Sequence, residues 1–399
     1  MNISEILKNV TKTHIQDYYD NNSPTIEDST YRYEISNWCF KSNVFSEIRK
    51  KYQEKQRFYH NENHLNELIS LVNFLKTKKI INEKEQSKLY IIAFFHDAVY
   101  NPKLQDNEEQ SANLFLDYVV RELEFKSPEF GYTTESKKNI IKQNHEFSDD
   151  IFEIYQAILD TKTQKSSSGI STIFCSLDLF CLTNYNLSEL IEYEHNIFKE
   201  YQFIDILLYH EKRLEVLQSF LKEINNPNLQ LLIEYVKHRK VKIGLYPGSF
   251  KPYHIGHLDI LQKAELVLDK VVICTGINPS KTQEGFESKF DFVPYREIKN
   301  FQNYQIDFLD SLNKEAREYE KNNKLGQIVE YVFIRGLRNF NDFNLEYNQL
   351  QYNKLLAKDR GIDLNTIFFI SDPEFQHISS SDIRAMENFK PGSAKKLIV

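Results

Sequence analysis

Up to about residue 236 the apolar positions recur with a helical period. Leu65, Leu68, Ile69, Val72 and Leu75 follow i, i+3, i+4, i+7 spacing, and so do Leu89, Ile92, Ala93 and His96. Another such run carries Ile191, Phe198 and Tyr201. Polar stretches divide these runs: Lys76–Lys88, Ser148–Asp150 and Thr161–Ser171. The last contains Ser166-Ser167-Ser168-Gly169 and reads as an exposed loop with no chemistry of its own. After Lys240 the period changes. Val241–Tyr246 is β-branched and apolar, Pro247-Gly248 follows, and an amphipathic run extends from Leu258 to Leu268. Lys270–Thr275, Glu330–Ile334 and Thr366–Ile370 predict three more strands, each followed by a motif and a helix. Alternating strand and helix implies a doubly wound parallel sheet. The pattern predicts an all-α domain over 1–236 and an α/β domain over 241–399, joined near His238–Lys240 with little linker between them.

Composition narrows the function. The chain has 399 residues, 41% of them hydrophobic, which suffices for two real cores. Its net charge of -7 argues against a general nucleic-acid surface. Cys39, Cys175, Cys181 and Cys274 show no CxxC spacing, so reduced core thiols in a cytoplasmic protein are expected. The start, Met1-Asn2-Ile3-Ser4-Glu5, lacks the pattern of an export signal, and no apolar run is long enough to predict a membrane span.

Four polar motifs follow the predicted strands. Tyr246-Pro247-Gly248-Ser249-Phe250-Lys251-Pro252-Tyr253-His254-Ile255-Gly256-His257 lies between a strand and a helix. In a parallel sheet that is the carboxyl edge, where ligands bind, and a helix N-terminus there attracts phosphate. His254 and His257 can donate to phosphate oxygens; taken alone, they could equally be incidental to a helix start. Asn278-Pro279-Ser280-Lys281 adds a cation at the same edge. Arg335-Gly336-Leu337-Arg338 precedes Asp342 and Glu346, and Ile378-Ser379-Ser380-Ser381 opens the last helix.

This set resembles phosphopantetheine adenylyltransferase, of the HxGH nucleotidyltransferase superfamily, from about Val241 onward. The resemblance implies a Rossmann-like domain that transfers an adenylyl group from Mg²⁺-ATP to 4′-phosphopantetheine, with release of pyrophosphate. His257, with His254 beside it, would stabilise the transition state at the ATP phosphates. Lys281 and Arg335 would hold the phosphorylated acceptor, helped by the Ser249 hydroxyl and Leu312. Ser249, Phe250, Gly336, Leu337, Arg338, Glu346, Phe375, Ile378, Ser379, Ser380 and Ser381 would hold ATP. The family also implies a homo-oligomer. Lys251 replaces the family's usual acid, and Gln283–Leu325 departs from its pattern, which leaves another small phosphate such as nicotinamide mononucleotide open as acceptor.

The helical half carries a second constellation. Phe95-His96-Asp97-Ala98-Val99-Tyr100 ends an apolar helix, and Tyr59-His60-Asn61-Glu62-Asn63-His64 opens another. His145 and Asp178 lie downstream, the latter an acid among apolar neighbours that is costly to bury without a partner. His60 or His145 alone would be an ordinary hydrogen-bonded residue. His64, His96, Asp97 and Asp178 together suit a divalent ion of the Mn²⁺, Fe²⁺, Co²⁺ or Mg²⁺ kind.

With Asn107-Glu108-Glu109-Gln110-Ser111-Ala112, these motifs resemble the HD superfamily of metal-dependent phosphohydrolases over about Ile35 to Phe220. By position, His64, His96, Asp97 and Asp178 would be the metal ligands, with His60 and His145 nearby. The family's Asp-x-Asp reads Ser176-Leu177-Asp178, which implies one metal rather than two. Two rivals stand beside a bifunctional enzyme. The helical half could be a nucleotide-sensing module regulating the transferase, and a nucleic-acid role is disfavoured by the acidic charge.

Overall fold

The computed structural model describes residues 6–7, 10–15, 43–123, 132–144, 146–276, 290, 293–301 and 304–399. The chain packs as two units, residues 1–200 with 219–232, and residues 201–218 with 233–399.

The first unit is helical: α1 (Asn43–Lys51), α2 (Glu62–Thr77), α3 (Glu83–Phe95), α4 (Asn107–Glu122), α5 (Thr134–Asn144), α6 (Ser148–Asp160), α7 (Gly169–Asp178), α8 (Phe180–Asn184) and α9 (Leu187–Glu200). Helix α3 is its centre. Leu89–Phe95 is apolar on every side, so no stripe can face water and the whole run is buried. A capping box starts the helix: Asn82 Oδ1 accepts from the Glu85 N–H, and the Glu85 carboxylate accepts from the Asn82 N–H. Helices α2, α6 and α7 pack around it. The carboxyl end of α3 therefore lies inside the bundle, and His96 sits there with 1% of its surface exposed.

Helices α10 (Ile206–Leu221) and α11 (Pro227–His238) lead into the second unit. It contains β1 (Val241–Gly248), α12 (Ile255–Glu265), β2 (Lys270–Gly276), β3 (Glu297–Phe301), α13 (Gln305–Asn322), β4 (Val329–Leu337), α14 (Phe340–Lys358), β5 (Thr366–Ile370) and α15 (Ser380–Phe389). The sheet is parallel throughout, in the order β3-β2-β1-β4-β5. Leu245 of β1 is flanked by Val272 and Phe333, and β1, β2 and β4 read as near-continuous apolar runs because helices cover both faces. The strand order reverses between β1 and β4, so their carboxyl ends border the crevice where such sheets bind ligands. Gly244 is set by packing: a Cβ there would lie 2.4 Å from Ile334 and 2.6 Å from Leu268.

The four strands expected from the sequence are present, and one more than expected. β3, with the sequence Glu-Ile-Lys-Asn-Phe, and α13 occupy much of the divergent Gln283–Leu325 stretch. As an edge strand with polar alternation, β3 carries little of the apolar signature of its neighbours. Residues 201–218 join the second unit partly through Lys270, whose buried ammonium donates to the Gln202 and Ile204 carbonyls and pairs with Glu297 at 2.8 Å.

Candidate functional site

In the helical unit His64, on the first turn of α2, meets His96 and Asp178, at the ends of α3 and α7. One ligand atom from each lies within 4.8 Å of the others. Asp178 Oδ1 is 3.4 Å from His64 Nε2 and 3.8 Å from His96 Nε2. His96 Nδ1 is 2.9 Å from the Ala93 carbonyl, which holds a proton there, so Nε2 is the nitrogen a cation would take in place of the ring's second proton. Both Nε2 atoms are buried with no hydrogen-bond partner among the described residues, as ligand nitrogens facing an ion would be. Two imidazoles and a carboxylate are a fitting donor set for a divalent ion of the transition series. Asp97 falls outside this triangle but stays beside it, with Oδ2 3.1 Å from His96 Nε2.

The electrostatics agree. Burial pulls the His96 pKa down, yet Asp97 and then Asp178 lift it to about 9. Burial raises the Asp97 and Asp178 carboxyls, and the surrounding imidazoles hold both below the usual range. The centre is thus a nest of half-buried carboxylates that favours positive charge.

Residues that periodicity does not reveal support it. Glu200, at the end of α9 and fully buried, accepts from the backbone N–H groups of Phe58, Tyr59 and His60 at 2.8, 2.7 and 3.0 Å. Its other oxygen takes His60 Nδ1 and the Tyr100 hydroxyl, both at 2.7 Å. Burial depresses the His60 pKa, but Glu200 more than offsets this and raises it. Arg57 donates to the carbonyls of Asp97 and Ala98, tying this turn to the end of α3. Asn107 and Ser111 bond the backbone of Asn101 and Val99, so that motif fixes the exit from the His-Asp turn. Ser176 bonds the Thr172 carbonyl within its own helix. His145 lies outside the described residues.

The Thr161–Ser171 stretch departs from the expectation. Ser166–Ser168 are at the surface or near it, but Gln164 reaches Asp178 at 2.7 Å and Ser171 is fully buried on Asp160. The serine-rich composition described its rim and hid its inner face. A cavity of about 320 Å³ opens beside His64, lined also by Tyr59, Glu67, Tyr185, Glu192 and Tyr193.

In the sheet unit, β1 runs out at Gly248 and the chain turns through Ser249–Tyr253 into α12. The His254 N–H donates to His257 Nδ1 at 3.3 Å, which assigns the His257 proton to Nε2. The two rings stack at 3.6 Å, and burial followed by Arg338 drives the His254 pKa down to about 4, so it is neutral near pH 7. A Cβ on residue 256 would lie 3.2 Å from the His254 ring, a tight contact that glycine avoids. On β4 the half-hidden Arg335 donates to Gln305 at 2.5 Å and pairs with Glu346 at 3.4 Å. Arg338 makes two bonds to the Asp342 carboxylate, at 2.9 and 3.1 Å. Ser379 caps α15 through the Asp382 N–H, Ser380 donates to the Pro252 carbonyl, and Arg384 bonds the Lys251 carbonyl. These bonds tie the Ile378–Ser381 motif to the turn that precedes His254.

Residues 245–386 match the cytidylyltransferase-like family model. Phosphopantetheine adenylyltransferase of Clostridium perfringens is 30% identical over 169 residues, covering 40% of this chain and 88% of that protein. The Mycoplasma capricolum enzyme of the same name is 34% identical over 151 residues, 38% of this chain and 99% of its own length. That from Cytophaga hutchinsonii is 33% identical over 156 residues, 37% of this chain and 91% of its own. The chain belongs to the phosphopantetheine adenylyltransferase family. The membership rests on its C-terminal part, a nucleotidyltransferase domain.

Within this adenylyltransferase domain Ser249, His254, His257, Arg335 and Arg338 all lie on the carboxyl ends of β1 and β4 or just beyond them. Phe250 is 2% exposed and its ring stands edge-on to His257, so its side chain packs against that imidazole. Gly336 has a packing role, because a Cβ would come within 2.9 Å of Ile260 on α12. Leu337, Ile378 and Leu312 are buried at 4% exposure each. Glu346 faces Arg335, and Phe375 lies in the short turn of helix that precedes α15. Lys281 falls outside the described residues. Gln305 is the residue the motifs missed: it sits in the divergent stretch, and its contact with Arg335 is its only signal. Cys175 and Cys181 are buried free thiols whose pKa burial pushes up to about 11 and about 12, as core cysteines require.

Proposed function

We propose that the chain is a bifunctional enzyme that transfers the adenylyl group of Mg²⁺-ATP to 4′-phosphopantetheine and hydrolyses a phosphate ester at a metal centre in its helical unit. The observation that carries the first activity is His257, whose Nε2–H is a hydrogen-bond donor beside the β1–β4 crevice. An acceptor phosphate oxygen attacks the α-phosphorus of ATP in line, and pyrophosphate leaves. His257 stabilises the charge that develops there, neutral His254 keeps its ring oriented, and Arg335 and Lys281 hold the acceptor phosphate. Glu346 and Gln305 keep the Arg335 guanidinium in place before substrate arrives. No side-chain nucleophile is required.

The second activity is supported by the His64–His96–Asp178 triangle with Asp97 beside it. A divalent ion held there would polarise the phosphate and activate water. His60, held on Glu200 through both its backbone N–H and its Nδ1, adds positive charge for an anionic substrate. Self-association is favoured by an apolar row on α14: Leu345, Tyr352, Leu355 and Leu356 are 71%, 71%, 65% and 52% exposed. Among the described residues no helix is long and apolar enough to cross a membrane.

The deciding measurement is pyrophosphate release from Mg²⁺-ATP with and without 4′-phosphopantetheine, for the native chain and His257→Ala. Acceptor-dependent release, reduced about 10²–10³-fold in the variant, is expected. A folded protein that binds ATP but turns over only with nicotinamide mononucleotide or another phosphate would overturn the acceptor.

A further inference from the structure

We infer that Gln164 is a positioning residue of the His64–His96–Asp178 centre, clamping Asp178 so that Oδ1 faces both imidazoles. The inference rests on reading that centre as a metal site.

Three features of Gln164 coincide. Its backbone is left-handed, at φ +55°, a region that non-glycine residues other than Asn, Asp and His seldom adopt. Its Nε2 donates to Asp178 Oδ2 at 2.7 Å and to the Thr161 carbonyl at 2.9 Å, which uses both amide hydrogens. Its Oε1 is buried with no hydrogen-bond partner among the described residues. The amide orientation follows from the network: turned over, Oε1 would face a carboxylate and a carbonyl, acceptor against acceptor.

Strain and an unsatisfied oxygen in one residue both cost stability, so the turn by itself does not explain glutamine there. Glycine would remove the strain, and a short polar residue would remove the orphan. What glutamine supplies is reach across the centre. Asp178 has one oxygen taken by the amide, and the other lies 3.4 Å from His64 and 3.8 Å from His96. Occupying Oδ2 in this way leaves Oδ1 as the ligand oxygen and fixes the carboxylate plane.

The loop is built to hold that residue. Asp160, at the end of α6, accepts from the Ser167 N–H at 2.8 Å and from the Ser167 and Ser171 hydroxyls at 2.6 Å. The Thr161 hydroxyl bonds the Ile158 carbonyl at 2.7 Å. Gln164 is thereby suspended between two anchored points rather than at a free loop tip.

The test is Co²⁺ titration of the full-length chain by calorimetry and visible absorption, for the native protein, Gln164→Gly and Gln164→Asn. Asparagine tolerates the left-handed backbone but is one methylene too short to reach Asp178. Both variants should bind Co²⁺ at least about tenfold more weakly, with a changed Co²⁺ spectrum, while the metal-free glycine variant melts at or above the native temperature. Native affinity in both variants would overturn the clamp and leave the metal site standing. Weaker binding accompanied by a lower metal-free melting temperature in the glycine variant would also overturn it, by showing a merely structural role. A native chain that binds neither Co²⁺ nor Mn²⁺ would refute the metal site, and the clamp with it.

Discussion

Replacing Glu200 with glutamine keeps the shape of a fully buried side chain and removes only its charge. In the native structure its two oxygens receive five donors: three backbone N–H groups on one, and His60 Nδ1 with the Tyr100 hydroxyl on the other. An amide must turn its NH₂ towards one of these sets. Facing the second set costs less, because the Tyr100 hydroxyl can rotate and His60 can change tautomer to accept. Three bonds to the backbone then survive without charge assistance. Charge-assisted bonds are worth about 1.5–3 kcal/mol and neutral ones about 0.5–1.5, so the loss comes to about 2–4 kcal/mol. For a unit of this size that is roughly 6–12 °C in its melting transition. The pH dependence has a definite sign. His60 has a raised pKa in the folded chain, so its pairing stabilises fully below about 6.5, the unfolded value, and fades as pH rises through the folded one. Glu200, whose folded pKa is lowered, contributes above about 4.5 and stays constant over the range of interest. Urea titrations of native and Glu200→Gln chains at about pH 6 and about pH 9 should show a gap that narrows at the higher pH. A gap below about 0.5 kcal/mol, the scale of an ordinary surface change, or one that widens with pH would refute the reasoning.

Three further outcomes are expected. Lys270→Met should destabilise the sheet unit by about 2–3 kcal/mol in denaturant titration, because Lys299 still pairs with Glu297 but the carbonyls of Gln202 and Ile204 are left facing an apolar chain. Mn²⁺ at about a hundredfold its Kd should stabilise the helical unit by about 2.7 kcal/mol in thermal melts, an effect that His64→Ala or Asp178→Ala abolishes. His254, with a folded pKa of about 4, stabilises fully above its unfolded value of about 6.5 and loses that contribution as pH falls towards 4. Native and His254→Gln stabilities, compared by urea titration, should therefore converge as the pH falls.

The legible parts of this protein are those whose determinants are local. Strands β1, β2, β4 and β5 could be read because each is a short apolar run beside a turn motif, and the histidine–glycine–histidine turn because its residues are consecutive. Three separate motifs, each at a helix end, point to His64, His96, Asp97 and Asp178, and the packing of α2, α3 and α7 brings three of them together while Asp97 stands beside the triangle. What remained hidden is the set of residues that aims those groups. Glu200 acts on His60 from 140 positions away, and a glutamate at the end of an amphipathic helix looks like any solvated acid. Gln164 is disguised by serine-rich neighbours that do face water. Gln305 is silent because its helix lies in the stretch where the family pattern is weakest.

This division has a physical cause. A ligand or phosphate contact demands a particular chemistry, and so leaves a recognisable residue type. An aiming residue needs only a donor or acceptor at the right point, which many side chains on many elements can supply. Its identity is fixed by tertiary geometry, so composition and period cannot point to it. The unsatisfied atoms are a better guide. His64 Nε2 and His96 Nε2 are buried without hydrogen-bond partners among the described residues and belong to one centre, and Gln164, whose Oε1 is likewise unpaired, bonds its third member. A folded chain tolerates such unpaired polar atoms where something else completes them, so a divalent ion is the first ligand to offer the proposed centre.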